Sequence, residues 1–264
     1  MRTEYLVALA MAAGAMPLLA TVAAAEVHTK EITYTQGHQV LQGFLAWSDA
    51  AKGKRPGVLV VHEWWGHNDH ARNQAKRLAE AGYVGFALDL YGKGKVATHP
   101  KDAEALMTEA AKDPAALEAK FNAALAQLKQ NPLVDPGKIA AIGYCFGGAV
   151  VLGRARAGAD LAAVVSFHGV LATTTPAAKG TVTARVLVLT GAADPMIPPD
   201  QVAAFEKEMT AAGATFQVVS YPGAKHSFTN PEADQRGIDA LAYHAEADQQ
   251  SWAAMLALFK EVLR

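Results

Sequence analysis

Short unbroken apolar runs alternate along this chain with longer stretches in which apolar positions recur every three or four residues. The runs Gly57 to Val61, Val84 to Asp89, Lys138 to Ile142, Ala162 to Phe167, Arg185 to Gly191 and Phe216 to Tyr221 are too short for helices and are bounded by turn residues, so they predict buried strands. Between them the spacing predicts helices from about Asp69 to Glu80, stopping at Gly82, from about Lys101 to Lys112, and from Pro114 to Gln130. In the third, Leu117, Phe121, Leu125 and Leu128 share a face, and Pro114 suits a first turn. Two further helices are expected at Pro199 to Ala212 and Ser251 to Leu263, the latter with a core stripe of Trp252, Met255, Leu256, Phe259 and Leu263. Upstream, Thr29 to Thr35 and Gln39 to Trp47 read as an antiparallel pair joined at Gly37-His38. Strands alternating with helices predict an α/β fold, a mostly parallel central sheet with helices on both faces.

The first 25 residues break this pattern. Arg2, an apolar run from Tyr5 to about Val22 and the small residues Ala23-Ala24-Ala25 before Glu26 read as a signal peptide, which predicts a periplasmic or secreted protein. The rival is a membrane anchor of about 20 apolar residues, but Gly14, Pro17 and the alanine-rich composition favour cleavage. Residues 26–264 suit a single α/β domain. A formal net charge of −1 and the absence of a basic run give no field for nucleic acid, and no later apolar stretch approaches a bilayer span, so neither nucleic acid nor membrane is an expected partner. A monomer is expected, although the sequence does not fix the oligomeric state. A single cysteine excludes an intramolecular disulfide and leaves an unpaired thiol in an oxidising compartment.

That cysteine lies in Gly143-Tyr144-Cys145-Phe146-Gly147-Gly148, after one predicted strand and before an apolar, small-residue segment suited to a helix. This is the strand-turn-helix setting of a Gly-x-Ser-x-Gly nucleophile elbow, with sulfur in place of oxygen. Alone, Cys145 reads better as a small buried apolar residue, and it is the rest of the constellation that shifts the reading. Downstream, Asp194 follows the strand ending at Gly191 and His226 follows the strand ending at Tyr221. Both fall in loops past strand C-termini, where open parallel sheets bind ligands. The order nucleophile, acid, histidine is that of the α/β-hydrolases. His168 is a rival histidine, but it precedes Asp194 and reads as packing or pocket lining.

With His62-Glu63-Trp64-Trp65-Gly66 after the strand at Gly57, and with His226-Ser227-Phe228, the chain resembles the dienelactone hydrolases (carboxymethylenebutenolidases) from roughly Gly57 to Phe228. The resemblance implies an α/β-hydrolase fold and a cysteine-dependent hydrolase of esters or lactones. Cys145 would be the nucleophile, His226 its base, Asp194 the residue orienting that histidine and Glu63 an extra carboxylate that activates the thiol once substrate binds. The backbone N–H groups of Trp64 and Phe146 would form the oxyanion hole. The two arginines that hold the lactone carboxylate in the family match Lys93 and Asn230 here; lysine keeps a charge without the bidentate fork, and asparagine has no charge. Lys93, Asn230, Tyr144 and Trp65 are read as substrate-binding residues. No cofactor is expected. A metal at His62, Glu63, His67 and His70 is the competing reading, but the register of a helical His-Glu-x-x-His site is wrong. The remaining alternatives are an exported carboxylesterase acting on neutral or acylated-saccharide esters, and a catalytically silent binding module.

Overall fold

The structure, a computed structural model, describes residues 26–50 and 52–264, so the proposed signal peptide lies outside the described residues. Eight strands form one sheet: β1 (Val27–Gln36), β2 (Gln39–Ser48), β3 (Arg55–Val61), β4 (Val84–Leu88), β5 (Val134–Tyr144), β6 (Ala163–Phe167), β7 (Arg185–Gly191) and β8 (Phe216–Tyr221). Their spatial order is β1-β2-β4-β3-β5-β6-β7-β8. The N-terminal hairpin pairs antiparallel, β2 joins β4 antiparallel, and every other pairing is parallel. The hairpin turns at Gly37, whose φ of 56° is in the left-handed region that glycine adopts without penalty.

Among the described residues six α-helices cover the sheet: α1 (Asp69–Glu80), α2 (Pro100–Ala111), α3 (Pro114–Lys129), α4 (Phe146–Arg156), α5 (Pro199–Ala212) and α6 (Ala245–Val262). Local chemistry fixes where they start. Asn68 accepts a hydrogen bond from the Ala71 N–H ahead of α1, and Asp113 accepts from Ala116 ahead of α3, whose first residue is proline. Successive strand residues feed opposite faces of the sheet. Leu59, Val61, Ile139 and Ala141 pack with Phe121 and Leu128 of α3, Val151 of α4 and Phe205 of α5. Their neighbours Val58, Val60, Ala140 and Ile142 pack with Leu78 of α1 and with Met255 and Phe259 of α6. The predicted elements are all present; β5 begins earlier than expected, at Val134, because its first residues still pair with Arg55 and Pro56 of β3 across a register shift.

Candidate active site

Cys145 stands between β5 and α4 with φ 53° and ψ −115°. Two glycines make this turn feasible: a Cβ on Gly143 would strike the Gly147 carbonyl, and one on Gly147 would strike the Val61 carbonyl. Helix α4 begins at the next residue, so the Phe146 N–H has no intrahelical acceptor and the positive end of the helix dipole lies beside the sulfur. The Cys145 N–H donates to the Phe167 carbonyl at 3.0 Å and to His168 Nδ1 at 3.1 Å.

Asp194 and His226 arrive from the ends of β7 and β8. Asp194 Oδ2 accepts from His226 Nδ1 at 2.8 Å, with both side chains buried, and Asp194 Oδ1 accepts from the Met196 N–H at 2.8 Å. The His226 backbone is pinned on both sides, donating to the Ala240 carbonyl and accepting from the Ala242 N–H. Its Nε2 meets no oxygen or nitrogen partner among the described residues. Burial opposes a charge on His226, but the charge of Cys145 and the Asp194 carboxylate outweigh it and hold the imidazole up at about 10.

Glu63, just past β3, is fully enclosed and has a neutral donor on each oxygen: Ser227 Oγ to Oε1 at 2.7 Å and Asn230 Nδ2 to Oε2 at 2.7 Å. Ser227 reaches it from a backbone with φ 55°. His168, at φ 42°, accepts the Cys145 N–H on Nδ1, which leaves Nε2 to donate to Thr229 Oγ1 at 2.8 Å. Its ring packs on that of His226 with centroids 5.2 Å apart, and burial, then the charge of His226, keeps it well below the usual histidine range. Cys145, His168 and Ser227 are the non-glycine residues of positive φ among the described residues, and all three surround this site.

A cavity of about 620 Å³ opens over these groups. Trp64, Cys145, Phe146 and His226 line one side, and Met107, Ala111, Val170, Met196, Ile238 and Leu241 line much of the rest. Among the described residues Lys112, exposed and paired with Glu109, is its only lysine, arginine or carboxylate residue. The Trp64 N–H donates to no acceptor among the described residues, so Trp64 and Phe146 each bring an uncommitted amide to the wall that carries the sulfur. Tyr91 braces both: its hydroxyl donates to the Trp64 carbonyl at 3.1 Å and its ring stacks on Phe146 at 6.0 Å.

Residues 41–263 match the model of the dienelactone hydrolase family. The chain belongs to the dienelactone hydrolase family. As a member it is a hydrolase of the α/β-hydrolase superfamily, acting on esters or lactones. A Yersinia pestis protein assigned by name as a carboxymethylenebutenolidase is 29% identical over 244 residues, covering 89% of each chain. Among solved structures, one named m3DLH is 41% identical with a TM-score of 0.86, covering 90% of this chain and 99% of its own. A dienelactone hydrolase-like promiscuous phosphotriesterase from metagenomic libraries is 38% identical, with a TM-score of 0.85 and the same coverage.

The structure places all four residues expected to contact substrate away from the cavity. Asn230 is buried and spends its amide on Glu63. Lys93 is exposed on the loop after β4 and lines no part of the cavity. Tyr144 is buried, stacked on Phe167 and edge-on to His70, because it shares a sheet face with Ile142 rather than with the cavity. Trp65 is buried beneath Arg236 while its neighbour Trp64 takes the cavity wall. The histidines of the 62–70 segment also diverge. His62 accepts from the Leu90 N–H on Nε2 and donates from Nδ1 to the Glu63 carbonyl, so both ring nitrogens are committed. Tyr91, Ser227 and Thr229 also join the site, with no motif in the sequence that names their roles. Ser227 and Thr229 flank Phe228 in the same motif as His226, and that was the available signal.

Proposed function

We propose that the protein hydrolyses carboxylic esters or lactones through a thioester on Cys145, with His226 as acid and base and Asp194 orienting it. The observation that carries this reading is the shared cavity wall of Cys145 and His226, with Asp194 2.8 Å behind the histidine. The Cys145 thiolate attacks the carbonyl carbon, and the Trp64 and Phe146 N–H groups take the oxyanion. As the C–O bond breaks, His226 gives its proton to the departing alkoxide. His226 then takes a proton from water, the hydroxide attacks the thioester, and the acid leaves as the thiolate returns. A well-placed acid-base group is worth about 10²- to 10⁴-fold in rate, and one oxyanion donor about 3 to 4 kcal/mol. Glu63, held by Ser227 and Asn230, is the carboxylate that would act on the thiol, as the family resemblance implies.

The cavity favours a neutral ester over a carboxylate-bearing lactone. Its walls are apolar, Lys112 sits at the rim, and neither Lys93 nor Asn230 is available to pair with an anion. We further propose export with cleavage after Ala25, supported by the small residues ahead of Glu26. The test of the chemistry is hydrolysis of a neutral aryl ester and an anionic lactone of similar size by native protein, thiol-alkylated protein and Cys145→Ala. Loss of both activities with the thiol, and a preference for the neutral ester, are expected. Retention of most of the rate after alkylation would falsify the thioester route, and no hydrolysis by native protein would favour a silent binding module.

A further inference from the structure

Cleavage after Ala25 would leave Glu26-Val27-His28 at the amino terminus, with an imidazole third from a free amine. A chain that starts this way can wrap a metal ion in a plane of four nitrogens: the amine, the two following main-chain amides and histidine Nδ1, closing five-, five- and six-membered chelate rings. An imidazole one residue later cannot close the same rings. Square-planar nitrogen donors select copper(II) or nickel(II).

Two features of the fold support this use of the terminus. Glu26, His28 and Asp49 are the one group of three whose ligand atoms converge within 4.8 Å among the described residues. Within it, Asp49 sits against both ends of the chelate: Oδ1 accepts from the Glu26 nitrogen at 3.1 Å, and Oδ2 lies 3.6 Å from His28 Nε2. At that distance the carboxylate favours a proton on Nε2 electrostatically, which leaves Nδ1 as the ligand nitrogen. The second feature is the edge of the sheet, where β1 is the last strand among the described residues. The Asp49 N–H donates to the Glu26 carbonyl, and the alternation of an antiparallel ladder then turns the Val27 amide outward, away from β2. Closing the chelate rings turns the extended backbone of Glu26 and Val27, so residues 26–28 leave the end of the ladder, including the His28 amide opposite Trp47.

We propose that the processed terminus Glu26-Val27-His28 is a copper(II) or nickel(II) site, oriented by Asp49 and separate from the hydrolase cavity. It rests on cleavage after Ala25 and not on the hydrolytic reading. Binding converts one ammonium and two amides to metal-bound nitrogens, so three protons are released per ion. The test uses exported protein whose first residue is identified by mass spectrometry, stripped with a chelator and titrated separately with copper(II) and nickel(II). One equivalent of each should bind, with the visible band of a square-planar nitrogen set. His28→Ala should abolish that band. Val27→Pro keeps all three side chains and suits an outward-facing edge position, but has no amide proton to lose, so it should abolish the band too. Asp49→Ala should weaken binding by about 10- to 100-fold. Ester hydrolysis should be unchanged in all three variants. A Val27→Pro protein that binds as wild type does, a Glu26 terminus that binds no equivalent, or an exported chain that begins at any other residue overturns the proposal.

Discussion

On the polar side of the cavity almost every group is tied down: Glu63 by Ser227 and Asn230, His226 by Asp194, and His168 by the Cys145 amide and Thr229. The opposite side, with Met107, Val170, Met196, Ile238 and Leu241, presents apolar surface and includes two unbranched thioethers. Directional bonds hold atoms to within tenths of an ångström, whereas apolar contacts tolerate shape changes, and methionine adapts most readily. The chemistry is thus built on rigid ground and recognition on soft ground. Substitutions on the first side should be read in kcat, and those on the second in KM.

The largest effect separating the two sides is expected from Cys145→Ala, which should lower kcat/KM by about 10⁴-fold or more with an unchanged circular dichroism spectrum. Next comes Asn230→Ala. It leaves one oxygen of the buried Glu63 without its donor, so about 1 to 3 kcal/mol of stability should be lost in a denaturant titration. In kinetics kcat should fall by about tenfold or more, and a fall confined to KM would instead place Asn230 on the recognition side.

The coupling between Cys145 and His226 should also appear in the pH dependence of stability. His226 is raised from 6.5 to about 10, so its contribution is fully present below pH 6.5 and is lost as pH rises through about 10. Cys145→Ala removes the largest raising influence, and thermal melts across this range should show a flatter decline than wild type. Parallel curves would mean that the two groups are uncoupled. On the apolar side, Met196 is 44% exposed, so Met196→Ala should leave the fold intact and raise KM for a bulky neutral ester by at most about tenfold at constant kcat. The smallest effect is expected from Lys93→Arg, which should change kcat/KM for an anionic lactone by less than about twofold, since its side chain lies off the cavity wall; a tenfold gain, about 1.4 kcal/mol, would return Lys93 to the substrate site.

These contrasts also mark what the sequence made legible. Strands and helices followed from periodicity, and the approach of Cys145, Asp194 and His226 followed from their places just past strand ends, because strand order alone carries such loops to one edge of a parallel sheet. Which way an individual side chain points is harder to read. Tyr144 was legible in principle, since strand parity puts it on the face of Ile142 and away from the cavity. Asn230 was not. Its inward turn depends on the left-handed backbone at Ser227, and serine carries no local signal for that conformation.

Three α-carbons at the site, those of Cys145, His168 and Ser227, hold conformations that an L-residue resists, at about 1 to 3 kcal/mol each. Set beside a typical folding stability of about 5 to 15 kcal/mol, that is a substantial fraction of the whole. Selection for heat resistance alone would therefore drift toward glycine at these positions. At Ser227, however, the same change would also erase the hydroxyl that holds Glu63, and a buried carboxylate oxygen left without its donor costs about 1 to 3 kcal/mol, so there the relief of backbone strain is offset and heat selection has no net pull away from serine.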